Sequence, residues 1–411
     1  MLTLIKNIAQ LLQVESSPKE KVCGADMAHI DTISNAYLIV EDDRFLEYGS
    51  MNQLPERQFD KVVDAAGRMV MPCFCDSHTH LVYAGSREIE YIDKIRGLSY
   101  DQIAKRGGGI LNSAKRVQEA SEDQLFNDAM QRLDMMAHYG TGAVEIKSGY
   151  GMTTEAELKM LRVIRRLREA SPLTIRATLL GAHGIPMEFR GRQSDFVDIV
   201  VNEMIPQAAA EGLADFVDVF CDEGFFTVED TDRMLEAGAK YGMRPKIHAN
   251  EMACSGGIQC AVRHNALSCD HLEYTGEAEI EALLGSPTMP TVLPGAAFFL
   301  NMQHAPVRRM MEAGLPVALA SDYNPGSSPS GNMQLILSFA CVNYRMLPEE
   351  AINATTINSA YAMGVSDILG SIAVGKRANF FITQPIPTYE YLPYAYGENK
   401  VFKTFLNGKE I

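Results

Sequence analysis

The sequence predicts an α/β fold: a (β/α)8 TIM-like barrel with a small β-sandwich domain built from both chain termini. Eight short β-branched runs alternate with longer amphipathic patterns, which is the order of a closed parallel barrel. Both ends instead carry short strand-like segments broken by Gly and Pro. The length of 411 residues suits one barrel with one satellite domain.

The predicted barrel strands cover residues 68–75, 142–147, 174–180, 216–221, 244–248, 266–269, 289–293 and 316–320. The amphipathic stretches between them, predicted as helices, are 121–138, 154–170, 195–211, 228–241 and 305–313. Thr153 or Thr154 is a suitable N-cap for the second of these helices. A doubly wound open sheet would normally carry a glycine-rich phosphate loop after its first strand, and the glycine run 107–109 lacks that spacing. The closed barrel is therefore favoured.

The terminal segments define the second domain. Residues 36–40, 44–48 and 400–406 have the length and composition of short strands. We predict that residues 1–70 and 371–411 form the composite β-sandwich and that residues 71–370 form the barrel. Pro72 and Gly370 are the expected linkers between the two.

Composition and charge exclude several classes of protein. Hydrophobic residues make up 46% and charged residues 22%, as in soluble globular proteins. No apolar stretch reaches the roughly 18 residues of a membrane span, and the N-terminus lacks a signal-peptide pattern. Eight cysteines without CxxC spacing indicate reduced thiols, so we expect a cytoplasmic protein. The net charge of −15 argues against nucleic acid and anionic membranes as partners.

Polar residues that can bind a metal or transfer protons stand at the ends of several predicted strands. These are Asp76, His78 and His80 at the first strand, His183 after the third, His248 and Glu251 at the fifth, Asp270 and His271 after the sixth, and Asp322 after the eighth. The carboxyl ends of parallel barrel strands open on one rim, where catalytic residues meet. Zinc and iron bind imidazole nitrogen and carboxylate oxygen. Five histidines at strand ends therefore predict a catalytic site. Alternation along the strand turns Cys73 and Cys75 away from it.

The order of these motifs resembles the amidohydrolase superfamily, and within it a subfamily that opens a cyclic amide in histidine breakdown. The strings that carry the resemblance run through the barrel in the family's order: Asp76-Ser-His-Thr-His-Leu-Val-Tyr-Ala-Gly-Ser-Arg87, Lys147-Ser-Gly-Tyr150-Gly, Leu180-Gly-Ala-His183 and Asp322-Tyr-Asn-Pro-Gly-Ser-Ser. One departure is Asn250, where the family usually has Asp. We expect it to alter the electrostatics near the metal and to leave the reaction type unchanged.

The resemblance implies one divalent metal per chain, Zn²⁺ or Fe, held by His78, His80, His248 and Asp322. It also implies catalytic roles for Glu251, His271 and Asp322, the first two as proton-transfer groups. Lys147 is the only lysine at a strand end that could bridge two ions, and a single ion is the expected number.

The implied reaction is hydrolysis of 4-imidazolone-5-propanoate to N-formimidoyl-L-glutamate. Arg87 offers a bidentate fork for the propanoate carboxylate, and an ion pair with Glu88 or Glu90 is the alternative role for it. The expected substrate-binding residues are Arg87, Tyr100, Tyr150, His183, Glu251, Asn324, Gly326 and Ser327. The partner is thus a small anionic heterocycle, and a homodimer is the expected assembly. A cytosine- or guanine-type deaminase and a non-catalytic metal-binding scaffold are the alternative functions.

Overall fold

The computed structural model describes residues 1–98 and 108–411, and two sheets organise these residues. The N-terminal part contributes strands β1 (Leu2–Leu12), β2 (Thr32–Glu41), β3 (Arg44–Ser50), β4 (Lys61–Asp64) and β5 (Val70–Pro72). The middle contributes β6 (Phe74–Thr79), β7 (Thr141–Lys147), β8 (Thr174–Ala182), β9 (Phe216–Cys221), β10 (Arg244–Ala249), β11 (Ser268–His271), β12 (Met289–Val292) and β13 (Ala318–Leu319). The C-terminal part adds β14 (Phe380–Thr383), β15 (Val401–Leu406) and β16 (Lys409–Glu410).

Helices follow or connect these strands. In chain order they are α1 (Glu88–Ile95), α2 (Ile110–Glu119), α3 (Glu122–His138), α4 (Thr154–Ala170), α5 (Gln193–Ile199), α6 (Ile205–Ala210), α7 (Val228–Ala239), α8 (Gly257–Arg263), α9 (Glu277–Leu283), α10 (Pro294–Leu300), α11 (Val307–Glu312), α12 (Met333–Asn343), α13 (Pro348–Thr355), α14 (Ile357–Ala362) and α15 (Tyr391–Tyr394). In the described ranges, no helix is long and apolar enough to cross a membrane.

Local sequence explains where the predicted helices begin. Thr153 caps α4 by accepting a hydrogen bond from the backbone N–H of Ala156, as the sequence predicted. The predicted helix 195–211 is instead divided, because α5 and α6 are joined by the π-helical turn Val200–Met204. Pro206 follows this turn and has no N–H to donate to a carbonyl one turn earlier, which accounts for the interruption.

The strands β6 to β13 form the predicted parallel barrel. Each pairs with its neighbour in chain order. The barrel closes between its first and last strands, where Thr79 and Tyr323 form a parallel bridge. There the backbone N–H of His80 donates to the carbonyl of Tyr323, and the N–H of Asp322 donates to that of His78. The closure thus places Asp322 beside the two histidines of β6.

The two ends of the chain share one mixed sheet of eight strands. Strand β1 pairs antiparallel with β2 and parallel with β4 and β5, and β14 pairs antiparallel with β5. A bridge between Arg44 and Arg377 brings the β3 edge next to the segment before β14, so the sheet curls over its own core. Phe45, Phe380 and Phe405 pack against one another in that core.

The predicted first barrel strand, residues 68–75, belongs to both sheets, and its prediction as one barrel strand is wrong. Residues 70–72 pair with β14 of the terminal sheet, whereas the barrel strand begins at Phe74. Cys73 marks the change, since its N–H donates to the carbonyl of Asn379 in the terminal segment. Residues 70–72 and 74–75 are all apolar and buried, so hydrophobicity does not separate the two pieces.

Candidate active site

The strand ends bring the metal-competent side chains to one rim of the barrel. His78 lies in β6, His80 follows it, His248 lies in β10, and Asp322 follows β13. All four are buried. Parallel pairing in register aligns the carboxyl ends of the strands, so residues more than 200 positions apart meet at one point.

The donor atoms of the other three side chains lie around Nε2 of His80. Nε2 of His80 lies 3.3 Å from Nε2 of His78 and 3.4 Å from Nε2 of His248. Oδ1 of Asp322 lies 3.6 Å from Nε2 of both His78 and His80. A zinc ion with bonds of about 2.1 Å to tetrahedral ligands holds its donors about 3.4 Å apart. The spacing therefore fits one small divalent cation.

The electrostatics of the donors also suit a cation. Burial lowers the pKa of His78 and of His80 well below the usual range, so both imidazoles are neutral and keep a lone pair for a metal. Burial raises the pKa of Asp322 to about 7, and a cation beside it would favour the ionised carboxylate.

Two carboxylates lie against the outer nitrogens of the histidines: Asp270, which the sequence placed at the rim, and Asp218, which it did not. Nδ1 of His78 lies 2.6 Å from Oδ2 of Asp270, and Nδ1 of His248 lies 3.0 Å from Oδ2 of Asp218. Oδ1 of Asp218 also accepts the backbone N–H of His248. Carboxylates in this position fix the ring orientation and tautomer of a metal-binding histidine.

Lys147, the candidate bridging group, is committed to a buried ion network. Its Nζ lies 2.6 Å from Oε1 of Glu145, 2.8 Å from Oδ2 of Asp218 and 3.7 Å from Oδ2 of Asp270. Lys246 pairs with the other oxygen of Glu145. Burial lowers the pKa of Lys147, but Asp218 and Glu145 outweigh it, so the net shift is upward and the ammonium stays charged. These contacts leave it no free position from which to bridge two ions.

Glu251 and His271 lie next to the donor cluster. Nδ1 of His271 is 3.6 Å from Oε2 of Glu251. Burial, with the nearby Asp322 and Asp222 carboxylates, raises the pKa of Glu251 to about 8. Asp222, another residue the sequence analysis did not assign, accepts the backbone N–H groups of Glu251 and Met252 and so fixes this loop.

The backbone at His271 is in an uncommon conformation. His271 has φ 85° and the following Leu272 has φ 74°, where non-glycine residues are rare. Such strain is retained when the surrounding structure determines it, and it is frequent at functional sites. Here it aims the His271 ring at the cluster, 5.2 Å from the His248 ring centre to centre.

A cavity of about 430 Å³ opens above the donors. Seven of the eight predicted substrate-binding residues line it, and apolar side chains complete the wall. The seven are Arg87, Tyr150, His183, Glu251, Asn324, Gly326 and Ser327, and the apolar residues are Ile110, Phe220, Phe225, Met252 and Leu300. Tyr100 lies outside the described residues. The volume and the mixture of apolar wall and few polar groups are those of a small-molecule site.

Arg87 lines the cavity and also forms the ion pair with Glu90 that was its alternative role. Its Nε and Nη2 lie 2.7 Å and 2.6 Å from Oε2 of Glu90, which is the ion pair considered as its alternative role. The guanidinium nevertheless lines the cavity and is only 14% exposed. Glu90 occupies the Nε–Nη2 edge, which leaves the Nη1–Nη2 edge for another carboxylate.

Tyr150 and His183 line the cavity next to each other, with ring centres 5.4 Å apart. The His183 ring stacks on His80 at 4.8 Å, and its Nδ1 lies 3.2 Å from the carbonyl of Gly149. Burial lowers the pKa of His183 to about 3, so the ring is neutral. The buried Glu157 accepts the N–H groups of Gly149, Gly151 and Met152 and thereby holds the loop that carries Tyr150.

The side chain of Asn324 holds the loop from Asn324 to Ser327 in a tight turn. Oδ1 of Asn324 accepts the N–H groups of Gly326 and Ser327, so these two backbone donors are already used. Ser327 Oγ lies 3.2 Å from Oδ2 of Asp322. A Cβ on Gly326 would lie 2.2 Å from Nη1 of Arg87, so glycine makes room for the guanidinium.

Comparison with known proteins decides the family. The amidohydrolase family model matches residues 69–411. An imidazolonepropionase of Flavobacterium johnsoniae is 51% identical over all of both chains. One of Thermoanaerobacter pseudethanolicus is 42% identical over 92% of this chain and 91% of its own length. The chain belongs to the imidazolonepropionase family.

Membership of the imidazolonepropionase family confirms the prediction of a hydrolase of histidine degradation and does not favour a deaminase. Together with the donor geometry, it indicates a divalent metal. Solved structures with the same fold include an atrazine chlorohydrolase variant of Arthrobacter aurescens complexed with zinc and atraton (TM-score 0.73, 14% identity, 99% of this chain and 94% of that one). Another is 5-methylcytosine deaminase of Klebsiella pneumoniae (TM-score 0.73, 18% identity, 99% and 97%). At these identities they confirm the amidohydrolase fold alone.

Asn250, the departure from the family pattern, has φ 56°, a conformation that Asn and Asp tolerate better than most residues. Its Nδ2 donates to the carbonyl of Tyr274, and its Oδ1 lies 3.4 Å from Ser255 Oγ. The amide therefore supports the loop before Glu251 through contacts with neighbouring backbone and side chains. An ionised Asp would face the Tyr274 carbonyl without a proton to donate.

Proposed function

We propose that this chain hydrolyses the ring amide of 4-imidazolone-5-propanoate and releases N-formimidoyl-L-glutamate. The observation that supports this best is the arrangement of one cavity, with three imidazoles and a carboxylate at its floor and Arg87 in its wall. That layout suits a small ring that carries a flexible carboxylate, with the ring at the floor and the side chain directed to the arginine.

His78, His80, His248 and Asp322 would hold one divalent cation, Zn²⁺ or Fe. Three neutral imidazoles and one carboxylate leave about one net positive charge on such a site. A divalent cation bound there would lower the pKa of water and polarise a carbonyl group. Asp270 and Asp218 keep the rings of His78 and His248 oriented for this purpose.

Glu251 is the proton-transfer group in this proposal. Water oxygen adds to the ring carbonyl carbon, the carbon–nitrogen bond of the amide breaks, and one proton passes from the water to the departing ring nitrogen. A carboxyl group whose pKa lies near neutral pH can accept that proton and release it again. His271, whose Nδ1 lies 3.6 Å from Glu251, would donate to the developing oxyanion or to the nitrogen.

Substrate binding is assigned to the cavity wall. Arg87 would pair with the propanoate through its free edge, while Tyr150 and His183 would contact the ring. Asn324, Gly326 and Ser327 shape the wall beside Arg87, and Gly326 leaves the space that the guanidinium fills. Tyr100 stays a predicted contact, and the homodimer and the cytoplasmic location stay predictions as well.

An ultraviolet assay tests the proposal. The metal-loaded chain should consume 4-imidazolone-5-propanoate and form N-formimidoyl-L-glutamate without releasing ammonia. A deaminase would release ammonia from an aminated heterocycle such as cytosine or guanine. Ammonia release from those bases, with no turnover of the imidazolone, would contradict the proposed reaction, and no turnover of either would favour a scaffold.

A further inference from the structure

Helix α1 turns its charged face inward. Arg87, Glu90 and Lys94 lie three and seven residues apart, on one side of the helix. Arg87 and Lys94 line the cavity. The opposite side carries Ile89, Ile92 and Ile95, which are 66%, 41% and 67% exposed. A helix placed only for stability would bury its isoleucines, so the inward charges indicate a role in the cavity.

Arg87 alone adds little net charge to this wall. Both Nε and Nη2 contact one oxygen of Glu90, at 2.7 Å and 2.6 Å, so the pair is neutral overall. The chain as a whole carries −15, so its long-range field repels an anion. An anionic substrate therefore needs a cation that is not already paired.

Among the residues that the structure describes, Lys94 is a cation of the cavity wall with no ion-pair partner. It is half-buried, and its Nζ lies 3.5 Å from the carbonyl of Gly326, directly beside the Arg87 guanidinium. In residues 1–98 and 108–411, no carboxylate lies within ion-pair distance of it; Asp93, buried on the same helix, does not line the cavity. Burial and the neighbouring Arg87 lower the pKa of Lys94, and the Glu90 carboxylate opposes this shift without reversing it.

We propose that Lys94 is a second binding residue for the substrate carboxylate and that it selects anionic substrates over neutral ones, while Glu90 positions Arg87. Arg87 supplies directional hydrogen bonds through its free edge, and Lys94 supplies the uncompensated positive charge. This inference rests on the proposed function, because it assigns the end of the same cavity to the propanoate group.

Steady-state kinetics of Lys94→Gln and Lys94→Arg, with 4-imidazolone-5-propanoate and its neutral propanamide analogue, test this role. For the anion, Lys94→Gln should raise KM roughly tenfold, the order expected for a charge-assisted contact, and leave kcat nearly unchanged. Lys94→Arg should recover most of the affinity. With the propanamide, all three proteins should behave alike. Lys115→Gln, a change at an exposed helical lysine, is the matched control and should have no effect.

The outcomes separate this inference from the proposed function. If Arg87→Met weakens use of the anion but Lys94→Gln does not, the reaction stands and the role of Lys94 is overturned. An equal effect of Lys94→Gln on both substrates would also overturn it, because a merely structural role has no charge preference. Calorimetric binding of N-formimidoyl-L-glutamate measures the contact apart from turnover; unchanged affinity in Lys94→Gln would contradict the proposal.

Discussion

The interiors of the two sheets are built from opposite kinds of residue. The core of the terminal sheet is apolar, with Ile5, Leu38, Phe45, Phe380 and Phe405 at its centre. The barrel interior below the histidines instead contains side chains that are charged and fully or almost fully buried: Glu145, Lys147, Asp218, Lys246 and Asp270.

This difference shows which part of the molecule serves the chemistry. Buried ion pairs are weak sources of stability, since the desolvation of two charges offsets much of their attraction. Apolar burial stabilises a fold at about 25 cal/mol per Å². The terminal sheet thus stabilises the fold. The buried charges of the barrel interior cost stability, and they orient His78 and His248.

Removal of a donor at the floor of the cavity should abolish function. His78→Ala and Asp322→Ala each delete one of four ligands, so we expect loss of both bound metal and activity. Metal analysis and the ultraviolet assay on the same sample measure the two. A variant that kept full activity without metal would contradict the claim that the reaction requires a bound cation.

Glu251→Gln should separate metal binding from proton transfer. The amide keeps the shape of the side chain but cannot accept a proton, so kcat should fall roughly 10²–10⁴-fold while the metal content is retained. If this variant lost its metal, Glu251 would be a ligand; if it kept its rate, another group would transfer the proton.

Arg87 should matter through geometry as well as charge. Arg87→Lys keeps the charge but loses the fork, and Arg87→Met loses both. We expect kcat/KM to fall for Lys and to fall further for Met, on the order of tenfold to a hundredfold. The neutral propanamide analogue is the control. Equal rates for Arg87→Met and the unaltered chain on the anion would mean that the arginine serves only its pair with Glu90.

A paired substitution compares the two interiors directly. Asp218→Asn weakens the orientation of His248, so metal affinity should fall roughly tenfold to a hundredfold with little change in kcat once the site is loaded. Phe380→Ala in the terminal core should lower the free energy of unfolding by about 3–5 kcal/mol and leave metal affinity unchanged. The reverse pattern would show that the terminal sheet tunes the site.

The sequence predicted the barrel and the strand ends because both depend on local signals. Strand β9 has the predicted bounds, and α4 begins at its predicted cap. The junction near residue 73 was missed because apolar runs look alike in either sheet. The sequence offered the Arg87–Glu90 pair and substrate binding as alternatives. That Arg87 pairs with Glu90 and also lines the cavity depends on its approach to Gly326, a contact between distant segments.

The supporting charges were missed for a different reason. Asp218 and Lys246 stand inside short apolar strands, and a charge in such a run is a usable signal of an inward-facing polar group. Their partners could not be assigned, since the pairing of Asp218 with Lys147 and His248 joins three strands. Asn324 likewise has a motif visible in the sequence, but its use of the Gly326 and Ser327 N–H groups depends on the folded turn.

The most direct test of the account is titration of the metal-free chain with Zn²⁺ or Fe²⁺ while turnover of 4-imidazolone-5-propanoate is followed. One cation fits the donor spacing, and Lys147 is held by Glu145 and Asp218 away from a bridging role. Activity should therefore rise linearly and stop at about one equivalent per chain. Activity that continued to rise to two equivalents would contradict the single-metal site.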